Sequence, residues 1–96
     1  MLHELSQIIQ SRKTTPREGS YTASLFASGE DRIIQKVGEE AIEVIIAAKG
    51  QGKQRLIEET ADLFYHTLVM LAEKGVTLEE VEEELRKRHS NVERKT

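Results

Sequence analysis

An all-α fold is what this sequence predicts, and three features predict it. Apolar residues recur at the three- and four-residue spacing of a helix along most of the chain. No stretch alternates apolar and polar residues as a half-buried strand does. Glycines fall mostly at the seams between periodic stretches, as does Pro16, the only proline.

Each element has its own signal. Leu2, Leu5, Ile8 and Ile9 predict a first short helix over about residues 2–12. Thr14 to Gly19 reads as a connector. Ser20 is placed to cap a short helical turn through Phe26 that ends near Gly29. Residues 30–49 read as one long helix, which Gly50-Gln51-Gly52 breaks, and residues 53–74 as a second, closed by Gly75. Thr77 and Glu80 form a capping-box pair, with Val76 and Val81 at the staple positions. That last helix runs through Leu78, Val81 and Leu85 to about His89, and Ser90 to Thr96 are expected to fray. Long helices joined by a short turn form an antiparallel hairpin.

Bulk properties narrow the function. The 96 residues suit one domain, spanning 1–96, with a thin core. A net charge of -3 and a pI near 5.6 argue against nucleic acid as a partner. Absence of cysteine excludes disulfides and thiolate metal sites. The opening Met1-Leu2-His3-Glu4-Leu5 lacks the blocks of a signal peptide, and no apolar run approaches the roughly 20 residues of a membrane span. A soluble cytoplasmic protein with no membrane partner is expected.

The long helices carry the chemistry. With about 100° per residue, Glu43 lies about 40° and Glu40 about 100° round from Glu39, so all three share a face. Lys36 and Arg32 project into the same sector. Ile33, Val37, Ala41, Val44, Ile45 and Ala48 are expected to cover the opposite side. On the second helix Glu58, Glu59 and Asp62 share a face that His66 continues. If the hairpin aligns these stripes, four or five carboxylates converge. Unpaired, they repel and their pKa values rise. Mg2+, which prefers carboxylate oxygens, water and substrate phosphates, removes that problem. The competing reading is a solvated acidic face laced with Glu–Lys pairs, which Glu79, Glu80 and Glu82 to Glu84 resemble. A di-iron carboxylate bundle needs Glu-x-x-His, which occurs nowhere in the chain.

Apolar residues are left over. Leu56, Ile57, Leu63, Phe64, Leu68, Met70 and Leu71 spread over much of the second long helix, and Ile42 and Ile46 flank the acidic stripe of the first. A homodimer in which two hairpins build a four-helix-bundle-like core, with the short helices flanking it, covers these surfaces.

Glu40-Ala-Ile-Glu43, fifteen residues, then Glu59-Thr-Ala-Asp62 resembles the Glu-x-x-Glu…Glu-x-x-Asp signature of the MazG-like all-α nucleotide pyrophosphohydrolases. Ser20 to Phe26, Gly29, Lys36 to Glu43, Ala61 to His66 and Leu85 to His89 are similar to the phosphoribosyl-ATP pyrophosphatase branch, and the likeness runs from about Leu5 to His89. No cyclohydrolase domain, which is fused to this enzyme in some organisms, is expected here; a stand-alone version is expected. The resemblance implies hydrolysis of the α–β phosphoanhydride of phosphoribosyl-ATP, giving phosphoribosyl-AMP and pyrophosphate in histidine biosynthesis. It also implies an obligate dimer and carries over the four signature acids, while the other candidate roles are read from the residues' positions and chemistry. Glu40, Glu43, Glu59 and Asp62 fill the four signature positions as Mg2+ ligands. Glu39 is the candidate to bind metal or orient the attacking water. Lys36 is the best phosphate contact, against a plain salt bridge to Glu40. Arg32 and Lys49 are weaker substrate contacts. Arg88, with Arg86, is placed to meet the ribosyl phosphate, or to complement a helix C-terminus. His66 is a substrate or supporting residue held by Asp62. Tyr65 stacks on a base or packs between helices. Ser20, Tyr21 and Thr22 offer hydroxyls near a helix start, where Ser20 can equally cap. Two alternatives remain: another MazG-like triphosphate pyrophosphohydrolase, or a non-catalytic helical dimer module.

Overall fold

The computed structural model describes residues 1–89 as five helices in sequence: α1 (Leu2–Thr14), α2 (Tyr21–Ser28), α3 (Glu30–Gly50), α4 (Lys53–Glu73) and α5 (Leu78–Lys87). The described residues contain no strand. The expected frayed tail, 90–96, lies outside them.

The helix ends follow from local chemistry. Ser20 Oγ accepts the Ala23 N–H at 3.1 Å and starts α2. Thr77 Oγ1 accepts the Glu80 N–H at 3.1 Å while Glu80 Oε1 accepts the Thr77 N–H at 2.9 Å, completing the capping box of α5. At the end of α4 the Val76 N–H donates to the Leu71 carbonyl at 2.9 Å and the Gly75 N–H to the Ala72 carbonyl at 3.2 Å. This Schellman pattern needs a left-handed residue at Gly75, whose φ is +72°. Gly52, at φ +89°, turns the chain directly from α3 into α4.

The α3–α4 hairpin is the most extensive packing in the chain; α1 lies against α4, and α2 bridges α1 and α3. Ile9 of α1, Leu25 of α2, Ile33 of α3 and Leu68 and Val69 of α4 form the buried cluster. Burying each such large side chain is worth about 1.5–3 kcal/mol. The helix α5 lends Leu78 to the edge of that cluster. Its Val81 and Leu85 line an open apolar groove with Leu63, Phe64 and Leu71.

Two expectations about α3 need correction. Its packed seam is narrower than predicted: Ile33 and Ala47 are buried, whereas Ile45 is 62% exposed. Ile45 lies about 120° round from Ile33 at 100° per residue, too far to face α4. The acidic stripe also does not lie opposite the seam. Glu40 is about 20° from Ile33 by the same count, and its side chain is only 12% exposed.

Ile42, Ile45 and Ile46 on α3, and Ile57 and Phe64 on α4, stand exposed. The radius of gyration, 15.0 Å, exceeds the roughly 12.5 Å of a compact chain of this length. No helix among the described residues is long and apolar enough to cross a membrane.

Candidate active site

The antiparallel hairpin brings the two acidic stripes together. One carboxylate oxygen from each of Glu40, Glu59 and Asp62 lies within 4.8 Å of the others. Glu59 is 3% exposed, Glu40 nearly as enclosed, and Asp62 open to solvent. Two acids thus form a buried floor and the third a rim. Such a cluster could bind a metal ion. Glu43, the fourth signature acid, is half-buried and outside this trio, but close enough for its charge to act on Glu59 and Arg55.

Burial, first, pushes the Glu59 carboxyl above the usual carboxylate range. Arg55 opposes that push, and repulsion from Asp62, Glu40 and Glu43 adds to it. A cation beside Glu59 therefore stabilises its ionised form. Two cations already flank the trio. Arg55 Nη2 sits 2.6 Å from Glu59 Oε1, and Lys36 Nζ 3.2 Å from Glu40 Oε1. For Lys36 burial is the largest influence and pulls the pKa down. The hydrogen bond and charge of Glu40, then Tyr21 and Glu39, outweigh it and leave the ammonium raised.

Residues 2–89 match the family model described as phosphoribosyl-ATP pyrophosphohydrolase. This chain belongs to that family. Among its relatives, the phosphoribosyl-ATP pyrophosphatase of Listeria monocytogenes is 54% identical over 92 residues, 96% of this chain and 88% of the relative. That of Metallosphaera sedula is 52% identical over 88 residues, 92% and 95% of the two chains. The histidine biosynthesis bifunctional protein HisIE of Oceanobacillus iheyensis is 49% identical over 89 residues, 93% of this chain and 41% of that protein.

Within the family frame, the remaining predicted residues fall into three places. Glu39 lies beside the trio but outside it, 44% exposed and ringed by donors: Gln35 Nε2 at 3.2 Å, Arg32 Nη1 at 3.6 Å and Lys36 Nζ at 3.7 Å. Arg32 is therefore tied to Glu39. A second group links α2 to α4. His66 is buried, with Nδ1 2.8 Å from the Asp62 backbone carbonyl and Nε2 3.3 Å from the Tyr21 hydroxyl. A carbonyl only accepts, so Nδ1 carries hydrogen, and Nε2 faces the Tyr21 hydroxyl. The contact from His66 is thus to the Asp62 backbone carbonyl and not to its carboxylate, which lies in the cluster. The Thr22 and Tyr65 hydroxyls bond to each other, and burial foremost raises the Tyr65 pKa. Tyr65 packs between the helices, its ring 4.9 Å from that of His66. Ser20 caps α2. The third group is remote from the trio by sequence position. Lys49 is exposed in the last turn of α3. Arg88, at the end of α5, pairs with Glu84 at 2.7 Å, and Arg86 pairs with Glu83 at 2.8 Å. Both basic residues sit at the C-terminal end of that helix.

Arg55 is the site residue that reading the sequence missed. Its signal was present: Arg55 and Glu59 stand at i, i+4 on the acidic face of α4.

Proposed function

We propose that this chain hydrolyses the α–β phosphoanhydride of phosphoribosyl-ATP, the compound that the names of its relatives print for them, and that Mg2+ is its cofactor. The observation that carries the reading is the convergence of Glu40, Glu59 and Asp62 within 4.8 Å, at the signature positions. All three donors are hard carboxylate oxygens, the type Mg2+ prefers.

Glu40, Glu59 and Asp62 hold the metal, and Glu43 completes the set from the same stripe. When bound, Mg2+ polarises phosphate oxygens and offsets charge on the departing pyrophosphate. Lys36 reaches from Glu40 toward a phosphate oxygen and adds a fixed positive charge. In the reaction the oxygen of a water molecule forms a new bond to the α-phosphorus. The bond from that phosphorus to the bridging oxygen breaks, and the electron pair leaves with pyrophosphate. Glu39, outside the trio and partly open to solvent, accepts the proton of the attacking water. Arg32 and Lys36 hold the Glu39 carboxylate as this happens. Arg32, Lys49, Arg88, Ser20 and Thr22 remain the proposed substrate contacts, with His66 supporting Asp62.

We also infer a homodimer, supported by the exposed Ile42, Ile45 and Ile46 of α3, the exposed Ile57 and Phe64 of α4, and the extended shape. A cytoplasmic location suits a small-molecule substrate of this kind. The test is pyrophosphate release from phosphoribosyl-ATP beside a panel of ordinary and deoxynucleoside triphosphates. Phosphoribosyl-ATP should be turned over with the highest kcat/KM by a wide margin. Equal or better turnover of another triphosphate would move the chain's activity to a different pyrophosphohydrolase.

A further inference from the structure

The acidic trio is approached by two cations in equivalent positions. On each long helix a basic residue stands four places before a buried glutamate: Lys36 before Glu40 on α3, and Arg55 before Glu59 on α4. The helices are antiparallel, so the two cations reach the trio from opposite ends. The bond from Arg55 is the shorter, 2.6 Å against 3.2 Å. Its two ends differ in setting. The Glu59 side chain is 4% exposed, while that of Arg55 is 48% exposed and touches the surface acid Glu58 at 3.3 Å. The carboxylate is therefore anchored, and the guanidinium can leave without disturbing packing.

We propose that Arg55 is a displaceable counter-ion of Glu59: it neutralises the buried carboxylate in the metal-free protein, gives it up to the divalent cation, and then binds the polyphosphate that the cation carries. This rests on the metal-site reading above. A buried carboxylate needs a positive partner at every stage, because leaving one unpaired is strongly destabilising. A guanidinium and a divalent cation on the same carboxylate repel each other, and the repulsion is large where water is scarce. The two therefore compete for Glu59. Once released, Arg55 carries a planar fork of donors that matches two phosphate oxygens. The stem allows this, since Arg55 lies on the same face as Glu59, one turn toward the Gly52 turn. Arg55 would thus keep a negative partner throughout, first Glu59 and then phosphate. A permanent bridge that merely orients Glu59 makes the opposite forecast, since its loss weakens metal binding.

The test titrates Mg2+ by calorimetry into metal-free wild type, Arg55→Gln and Arg55→Lys at low ionic strength. Pyrophosphate is then titrated into each Mg2+-saturated protein. Melting temperatures are recorded with and without Mg2+. Arg55→Gln should bind Mg2+ more tightly, by roughly threefold or more, the scale of a partly exposed ion pair. It should melt below wild type without metal and regain the difference when saturated. Pyrophosphate should bind it roughly tenfold more weakly, the loss of one charge-assisted hydrogen bond. Arg55→Lys keeps the charge but not the fork, so Mg2+ affinity should stay near wild type while pyrophosphate weakens. Weaker Mg2+ binding by either variant overturns the proposal in favour of a fixed bridge. Unchanged pyrophosphate affinity in both overturns its second half. Should Arg55→Gln lose its helical circular dichroism, Arg55→Lys alone decides between these outcomes. Failure of wild type to bind Mg2+ at all refutes the metal-site reading itself, a result separable from the others.

Discussion

Replacing Ile46 by glutamate is expected to split the proposed dimer and to lower turnover with it. Ile46 lies on the outer face of α3, away from the seam with α4, and is 44% exposed. Full burial of such a side chain is worth about 1.5–3 kcal/mol, so the exposed fraction offers about 0.7–1.3 kcal/mol to an interface. A two-fold axis presents the residue twice, which makes the loss about 1.3–2.6 kcal/mol, or roughly 10- to 80-fold in the dimer dissociation constant. Burying the two new carboxylates adds to that figure. The isolated fold should hardly change, because the side chain touches water in the single chain. Sedimentation velocity over a dilution series gives the dissociation constant, and pyrophosphate release from the same samples gives activity. Wild type should be dimeric and active, and the variant monomeric and slow at equal concentration. A dimer of undiminished affinity in the variant, or full activity from a wild-type monomer, would refute this reading of the exposed apolar surface.

Other perturbations bear on the fold and the site. Ile33→Ala empties a position that is 1% exposed, so urea unfolding should show a loss of about 2–5 kcal/mol; a loss under 1 kcal/mol would mean the seam of α3 is misplaced. Thr77→Ala removes both hydroxyl bonds of the capping box and should cost about 0.5–2 kcal/mol, with amide exchange accelerated in α5 before the α3–α4 hairpin. The pH dependence follows from Glu59, whose pKa is raised in the folded chain, chiefly by burial. The proton is held more tightly folded than unfolded, so this group stabilises the metal-free fold below the unfolded pKa and the benefit fades as pH rises through the folded pKa. Mg2+ competes with that proton, so its affinity should begin to fall at a pH above the usual carboxylate range. Glu59→Gln should remove this effect along with most of the binding, and Mg2+ affinity flat down to the ordinary carboxylate pKa would contradict the shift.

Local chemistry was the most legible part of the sequence. Ser20, Gly75 and the Thr77–Glu80 pair mark helix ends through bonds that span only a few residues, and each end stands where those residues place it. The pairing of acids across the hairpin was legible for a related reason. A short Gly50–Gly52 turn leaves two long helices little choice but to run antiparallel, and Glu40 of the first signature pair then meets Glu59 and Asp62 of the second. Less visible was how sharply the seam selects residues. Helical periodicity assigns Ile45 to a broad apolar side, but ridge-and-groove contact with one neighbour uses a narrower arc. The same arc admits Glu40, which residue type alone would place outside. His66 shows another limit. Its spacing from Asp62 is visible, yet whether an imidazole bonds the carboxylate or the backbone carbonyl depends on where Tyr21 of α2 arrives. Arg55 went unnoticed because Arg–Glu pairs at i, i+4 are ordinary on helix surfaces. Only the burial of Glu59, a product of tertiary packing, sets this pair apart.

The most direct measurement is pyrophosphate release from phosphoribosyl-ATP by wild type and by Asp62→Asn, each assayed with Mg2+ and with excess chelator. Asp62 is exposed at the rim of the trio, so the substitution should leave helical circular dichroism unchanged. Wild type should release one pyrophosphate per phosphoribosyl-AMP with Mg2+ and none with chelator, and the variant should be nearly inactive in both. Undiminished turnover in chelator, or wild-type turnover by Asp62→Asn at limiting Mg2+, would contradict a metal-dependent reaction at the Glu40–Glu59–Asp62 cluster.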